Sequence, residues 1–254
     1  MVIGLERWRA HFADYADRYV LIGGVACDRL MEVAGLPFRA TKDLDVVLLI
    51  EALDGAFATV FWTFVEAGGY EVRARAEGGN LYRFTKPAEA DFPQMIELFS
   101  RAPKGFDLAP GAVLTPLPFE DAAASLSAIL LDADYYAFLQ ANALTLEGLP
   151  LLSEVGLIPF KAKAYLDLST RKGAGEPVDS KDVRKHRNDV FRLLQLLVAG
   201  DRVELPDVLE KDMRAFVAAI EADETFKPAD IQVRVEKGEA LDRLSQAYGL
   251  TLTR

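Results

Sequence analysis

The chain has 254 residues, of which 51% are apolar and 27% charged, so it can bury a substantial core in one large domain or two closely associated lobes. Its formal net charge of −10 argues against broad electrostatic binding to nucleic acid, although a small local basic patch stays compatible with it. The single cysteine, Cys27, excludes an intramolecular disulfide, and with no recognisable leader or membrane-spanning apolar run we expect a cytoplasmic protein without membrane contact.

The first hundred residues mix helical and strand patterns. Trp8, Phe12 and Tyr15 recur at helical spacing, which predicts a helix over 5–19, followed by a strand and turn over 19–24. The remaining predicted elements of this half are helices over 25–33 and 53–67 and strands over 44–50, 70–75, 80–85 and 94–99, with a hairpin joining the strands at 70–75 and 80–85.

The second half changes to helical periodicity. Short apolar runs over 113–153, with a hairpin at Glu147-Gly148, predict an extension of the first lobe. Pro159 suits a helix start, and helices are predicted over 160–171, 180–198, 208–221 and 229–248. The fold class predicted is α/β (α+β): a mixed sheet flanked by helices over 1–153, and a helical lobe over 154–254.

Two short motifs indicate a site that binds phosphate and a metal ion. Gly23-Gly24 follows an apolar strand, and glycines there let backbone N–H groups approach phosphate oxygens at a helix start. Asp43 and Asp45 open a second apolar run, and residues i and i+2 of a strand share one face. Two adjacent carboxylates repel each other unless a cation lies between them, and Mg²⁺ is commonly held by one or two carboxylates and substrate phosphates. The alternative is a pair of aspartates that only cap or turn the chain.

A third carboxylate is needed where two metal ions promote phosphoryl transfer, and Glu97 is the candidate. It lies within an apolar strand, where a charge is costly unless it is paired or metal-bound. An outward-facing Glu97 on a half-exposed strand is the alternative. Arg39 precedes the aspartates and can contact a phosphate through two hydrogen bonds, with a surface salt bridge as the competing interpretation.

These motifs resemble those of a known superfamily. Ile22-Gly23-Gly24-Val25-Ala26 with Arg39-x-Thr41-x-Asp43-x-Asp45 is similar to the signature of the nucleotidyltransferases with a DNA polymerase β-like fold, and nearest to the AbiEii/AbiGii toxin-like branch. The resemblance implies transfer of a nucleoside monophosphate from an NTP to a hydroxyl of an RNA end, a protein or a small molecule, with Mg²⁺ or Mn²⁺. It implies three catalytic metal ligands and four nucleotide contacts. The ligands are Asp43, Asp45 and Glu97, and the contacts are Gly23, Gly24, Arg39 and Thr41.

The resemblance also implies nucleotide contacts in the second half. Lys161 matches a helical lysine of the family, Asp189 matches a later acid, and Lys185 lies on the same helical face as Asp189. The sequence departs from the commonest pattern, because Asn188 precedes Asp189 and Arg192 replaces a second acid. A solvated, salt-bridged helix face is the alternative interpretation of this charged run.

Two other classes of function stay open. One is a nucleotide-binding regulator that keeps the pocket without turnover, and the intact Asp-x-Asp motif weighs against it. The other is an interaction module, such as a toxin whose fold chiefly contacts an antitoxin-like partner protein. The sequence names neither the base nor the acceptor.

Overall fold

The computed structural model describes residues 2–49, 55–74, 81–99, 129–130, 132–198, 200 and 202–250. Within these ranges the strands are β1 Tyr19–Ile22, β2 Asp43–Leu48, β3 Glu71–Ala74, β4 Leu81–Thr85, β5 Met95–Phe99, β6 Ala143–Leu146 and β7 Leu149–Leu152. The α-helices are α1 Leu5–His11, α2 Gly23–Val33, α3 Gly55–Gly68, α4 Ala133–Ala141, α5 Glu154–Gly173, α6 Ser180–Leu193, α7 Asp207–Ala222 and α8 Lys237–Ala247. Short 3₁₀ turns cover Ala13–Tyr15, Leu194–Leu196 and Pro228–Ile231.

The described strands form one mixed sheet in the order β3-β4-β5-β2-β1-β7-β6. Strand β2 runs antiparallel to β1 and parallel to β5, while β1 is parallel to β7. The hairpins β3–β4 and β6–β7 are antiparallel, as the sequence predicted for both. The predicted α/β class with a mixed sheet is confirmed, and β2, which begins with Asp43, lies in the middle of the sheet.

The described residues divide into two compact units. The sheet unit comprises Met1–Arg29, Arg39–Ala123 and Ala143–Leu152 and holds every strand named above. The helical unit comprises Leu30–Phe38, Ala124–Asn142 and Ser153–Arg254, and it contains α4 to α8. The predicted hairpin at Glu147-Gly148 belongs to the sheet unit, while residues 113–128 of that predicted extension lie outside the described ranges.

An aromatic core covers one face of the sheet. Leu44, Ile96 and Phe84 are level with one another on β2, β5 and β4, and all three are fully buried. The ring of Phe84 lies 5.3 Å from that of Phe61 on α3. Because side chains alternate along a strand, Asp43, Asp45 and Glu97 point to the opposite face. The helix α3 therefore cannot cover the carboxylates.

Four helix predictions were wrong in their bounds. One of them, over 180–198, ends at Leu193 and gives way to a 3₁₀ turn. The helix predicted over 5–19 ends at His11 and gives way to a 3₁₀ turn, and the one predicted over 229–248 is a 3₁₀ turn followed by α8. Gln232 explains this break, because its positive φ of 63° is left-handed and cannot continue a helix. Helix α5 begins at Glu154, so Pro159 lies inside it rather than at its start.

The fold accommodates Pro159 through a distant side chain. A proline has no N–H, so it cannot donate to the carbonyl four residues before it, which here belongs to Val155. The hydroxyl of Tyr248 donates to that carbonyl at 2.9 Å. A hydrogen bond from the C-terminal helix region therefore replaces the one that the proline removes.

Candidate active site

The predicted acidic residues lie together on the face of the sheet opposite to α3. Asp45 on β2 is level with Ile22 at the end of β1 and with Glu97 on β5. Glu97 is in turn level with Arg83 on β4. Neighbouring strands place residues at the same level about 5 Å apart on one face. Cross-strand pairing therefore forms a row of charged side chains, Asp45, Glu97 and Arg83, beside the end of β1.

The glycine turn lies directly against Asp45. Gly23 has a left-handed φ of +67°, and a Cβ added to it would lie 1.8 Å from Asp45 Oδ2. The backbone N–H of Gly24 faces the same oxygen, with an N–O distance of 3.4 Å. Since α2 begins at Gly23, its first N–H groups and positive dipole end lie beside this carboxylate. Only a residue without a side chain allows the helix start and Asp45 to approach this closely.

Thr41 and Arg39 complete the other side of the turn. A Cβ on Gly24 would meet Thr41 Oγ1 at 2.4 Å and Arg39 Nη2 at 3.6 Å. Both side chains are half-buried. The structure thus brings together every residue that the sequence predicted for this part of the site, with a guanidinium next to the N-terminus of α2.

Glu97 is buried, with 6% of its surface exposed, which excludes the outward-facing alternative. Burial, and next the negative charge of Asp45, raise the pKa of Glu97 to about 8, against the opposing effect of Arg83. Arg83 Nε and Nη2 donate to Glu97 Oε1 at 2.8 and 2.5 Å. The sequence analysis missed Arg83, although its position in the apolar run Leu-Tyr-Arg-Phe-Thr is the same signal that identified Glu97.

The arrangement suits one divalent cation better than two. Among the described residues, no group of three His, Cys, Asp or Glu side chains is placed to hold a metal ion. The reason is the register: Glu97 is level with Asp45, whereas Asp43 is level with Met95, which offers no oxygen. Asp43 and Asp45 still share a face, and two carboxylates with substrate phosphates are a common Mg²⁺ ligand set. One ion therefore fits these residues.

An open cleft of about 690 Å³ lies beside Asp43, at the edge of the sheet where β2 and β5 begin and β4 ends. Six of the residues that line it are Lys42, Asp43, Thr85, Pro87, Phe92 and Met95. Asp43, Met95 and Thr85 are level across β2, β5 and β4, one pleat from the carboxylate row. Among the described residues, the buried Thr85 Oγ1 has no hydrogen-bond partner. The cleft can therefore take a small group that hydrogen-bonds to Thr85 and approaches the carboxylates.

The other predicted nucleotide contacts lie in the helical unit. Lys161 Nζ on α5 is 3.4 Å from Asp189 Oδ2 on α6, and both residues are buried, Asp189 completely. Arg192 Nη1 lies 3.4 Å from the other oxygen of Asp189. Lys185 is half-buried on α6. The residues that best matched the family thus pair with each other, rather than forming a wholly solvated helix face.

A second polar cluster of the helical unit was not predicted. Tyr135 on α4 donates to Asp212 on α7 at 3.0 Å, and Lys163 on α5 lies 3.3 Å from both Asp212 and Asp167. Burial, and next the charge of Asp212, raise the pKa of Tyr135. The cluster joins three helices. Lys163 and Asp167 are one helical turn apart, but Tyr135 and Asp212 are too distant in the sequence for a local pattern to include them.

No helix among the described residues is long and apolar enough to cross a membrane. No protein-family model matches the chain, and a search of curated proteins finds no match. Among solved structures, the chain has a weak likeness to the solution structure of the antibiotic-resistance factor ANT(2″)-Ia, at 16% identity and a TM-score of 0.36. That likeness covers 85% of this chain and 95% of the other.

Proposed function

We propose that this chain is a nucleotidyltransferase, which moves a nucleoside monophosphate from an NTP to an acceptor hydroxyl with Mg²⁺ or Mn²⁺. The observation that carries the proposal is the position of Asp45, held against the Gly23-Gly24 helix start with Glu97 beside it. A carboxylate beside a helix N-terminus without a side chain in the way joins an anion site to a cation site. A triphosphate with its metal ion requires both.

Different residues of the sheet unit would bind the phosphates and the cation. The N–H groups at the start of α2 would bind phosphate oxygens, and the guanidinium of Arg39, beside Gly24, would contact a second phosphate. Asp43 and Asp45 would hold the cation, which when bound takes up charge at the α-phosphate. Lys161, Lys185 and Asp189 stay predicted nucleotide contacts from the helical unit.

The acceptor would enter by the cleft at Asp43. Its hydroxyl would lie near the carboxylates, where Glu97 is the third acidic group, and Thr85 Oγ1 would hydrogen-bond to the acceptor. RNA ends, protein side chains and small molecules all remain acceptor classes within the proposal. A toxin role with an antitoxin-like protein partner is proposed only from the Arg39-x-Thr41-x-Asp43-x-Asp45 motif.

Calorimetry with each of the four NTPs and Mg²⁺ tests the proposal. We expect one NTP to bind in a metal-dependent way, and Asp43→Asn with Asp45→Asn to abolish that binding. The matched control is Asp14→Asn with Asp17→Asn, which makes the same chemical change at exposed aspartates and should leave binding intact. If no NTP binds with Mg²⁺ or Mn²⁺, the proposal is wrong.

A second candidate is a nucleotide-binding protein without turnover. The hydrogen bonds from Arg83 to Glu97 favour it, because they engage the third carboxylate. Metal-dependent NTP binding without release of pyrophosphate, tested against RNA, protein and small-alcohol acceptors, would support this candidate over the transferase.

A further inference from the structure

The buried carboxylate of Glu97 already has a counter-ion, which the protein itself supplies. Arg83 donates two hydrogen bonds to Glu97 Oε1, and only 10% and 8% of the two side chains are exposed. We propose that Arg83 takes the place of a second divalent cation, so that the chain binds a single such ion, on Asp43 and Asp45. This inference rests on the proposed nucleotide transfer and assigns Arg83 as a positioning residue of that site.

The buried surroundings of Arg83 keep its guanidinium against Glu97. Both bonds run to the same oxygen, Oε1. Strands β4 and β5 pair over their whole described length, which keeps Arg83 and Glu97 at one level. Separating the two would leave the guanidinium of Arg83 buried without Glu97, which is strongly unfavourable. A metal ion that used both oxygens of Glu97 would have to displace the guanidinium from Oε1.

The position of Asp43 leads to the same conclusion. It lies two residues from Asp45, a rise of roughly 6.6 Å along the strand, and level with Met95 rather than with Glu97. Beside the Arg83–Glu97 pair, the carboxylates of Asp43 and Asp45 contribute two negative charges before nucleotide binds. One divalent cation on Asp43 and Asp45 balances them, and the triphosphate supplies its remaining ligands.

Counting bound Mn²⁺ tests the inference. The full chain is saturated with an equimolar α,β-methylene analogue of the NTP that calorimetry identifies, and free Mn²⁺ is measured from its electron paramagnetic resonance signal. We expect one bound Mn²⁺ per chain for the wild type and for Arg83→Lys, which keeps the positive charge. We expect two for Arg83→Met, which frees Glu97. Arg214→Met, which removes a more exposed guanidinium paired with Glu210, is the matched control and should bind one.

The possible Mn²⁺ counts distinguish a failure of this inference from a failure of the proposed function. Two Mn²⁺ ions on the wild type, or a single ion on Arg83→Met, would overturn the inference and leave the nucleotidyltransferase proposal standing. An analogue that does not bind the chain at all would instead overturn the proposed function.

A paired variant covers the case in which Arg83→Met alone does not fold. Arg83→Met with Glu97→Gln removes both charges of the pair and leaves no buried ion uncompensated. We expect this double variant to bind one Mn²⁺, with an affinity within about threefold of the wild type. A loss of tenfold or more would show that Glu97 is a ligand of the single ion, and the inference would be wrong.

Discussion

Replacing Gly23 by alanine tests the central contact of the site. The new methyl group would lie 1.8 Å from Asp45 Oδ2, 2.6 Å from its Cγ and 3.0 Å from its Cβ. Rotation about the Cα–Cβ bond of Asp45 relieves the first two contacts, but the third involves Cβ, which that rotation does not move. Asp45 or the start of α2 must therefore move. Gly35→Ala is the matched control, because Gly35 has nearly the same φ, +69° against +67°, and nothing within 4 Å of its added Cβ.

Both variants should lose stability, but only Gly23→Ala should also lose affinity for the metal ion and NTP. A left-handed backbone costs an alanine about 1–2 kcal/mol, which for a chain of this size lowers the melting temperature by about 2–8 °C. Both variants should show at least this loss. Gly23→Ala also displaces Asp45, which we propose as a metal ligand, and disturbing the surroundings of such ligands typically costs about 10–100-fold in affinity. Gly35→Ala should keep the wild-type affinity.

Thermal unfolding and calorimetry with Mg²⁺ and the preferred NTP separate the two effects. The expected pattern is similar destabilisation, with metal-dependent NTP binding weakened only in Gly23→Ala. Equal NTP affinity in the two folded variants would refute the reasoning, because it would mean that the contact between the helix start and Asp45 does not shape the nucleotide site.

Three further predictions concern stability. The pKa of Glu97 is raised from its ordinary 4.5 to about 8, so between these pH values the folded chain keeps a proton that the unfolded chain releases. The stabilisation that comes from this difference is complete below about pH 4.5 and is lost as the pH rises through 8. Urea titrations from pH 5 to 9 should therefore show the stability of the wild type falling relative to Glu97→Gln, and a constant difference would contradict the raised pKa. Lys161→Met should cost about 1–3 kcal/mol, because Asp189 loses the lysine but keeps Arg192, and adding Asp189→Leu should restore most of it. If urea unfolding shows instead an unchanged stability with lost NTP binding, Lys161 acts on nucleotide and not in packing. Tyr248→Phe should cost about 1–3 kcal/mol in the same assay, because the Val155 carbonyl loses its donor, and no loss would mean that water replaces the hydroxyl.

The elements of the sheet unit were predicted because their signals are local. Strands β1, β2 and β5 correspond to apolar runs of four to six residues, a pattern that predicts a strand without any knowledge of the rest of the fold. The two-residue spacing of Asp43 and Asp45 likewise places both side chains on one face of any strand. The proline error shows the limit of such signals. Pro159 favours a helix start by local preference alone, but Tyr248, from a distant part of the sequence, replaces the missing hydrogen bond and lets the helix continue.

The sequence by itself determined which residues are acidic, which strands carry those acidic residues, and which turn is free of side chains. Only the tertiary structure decided their partners. Strand register places Glu97 level with Asp45 and Arg83, and register depends on pairing between strands that no single segment encodes. The pairing of Lys161 with Asp189 likewise arises from helix packing. A buried charge must find its counter-ion in whatever packs against it, and that is a property of the folded chain.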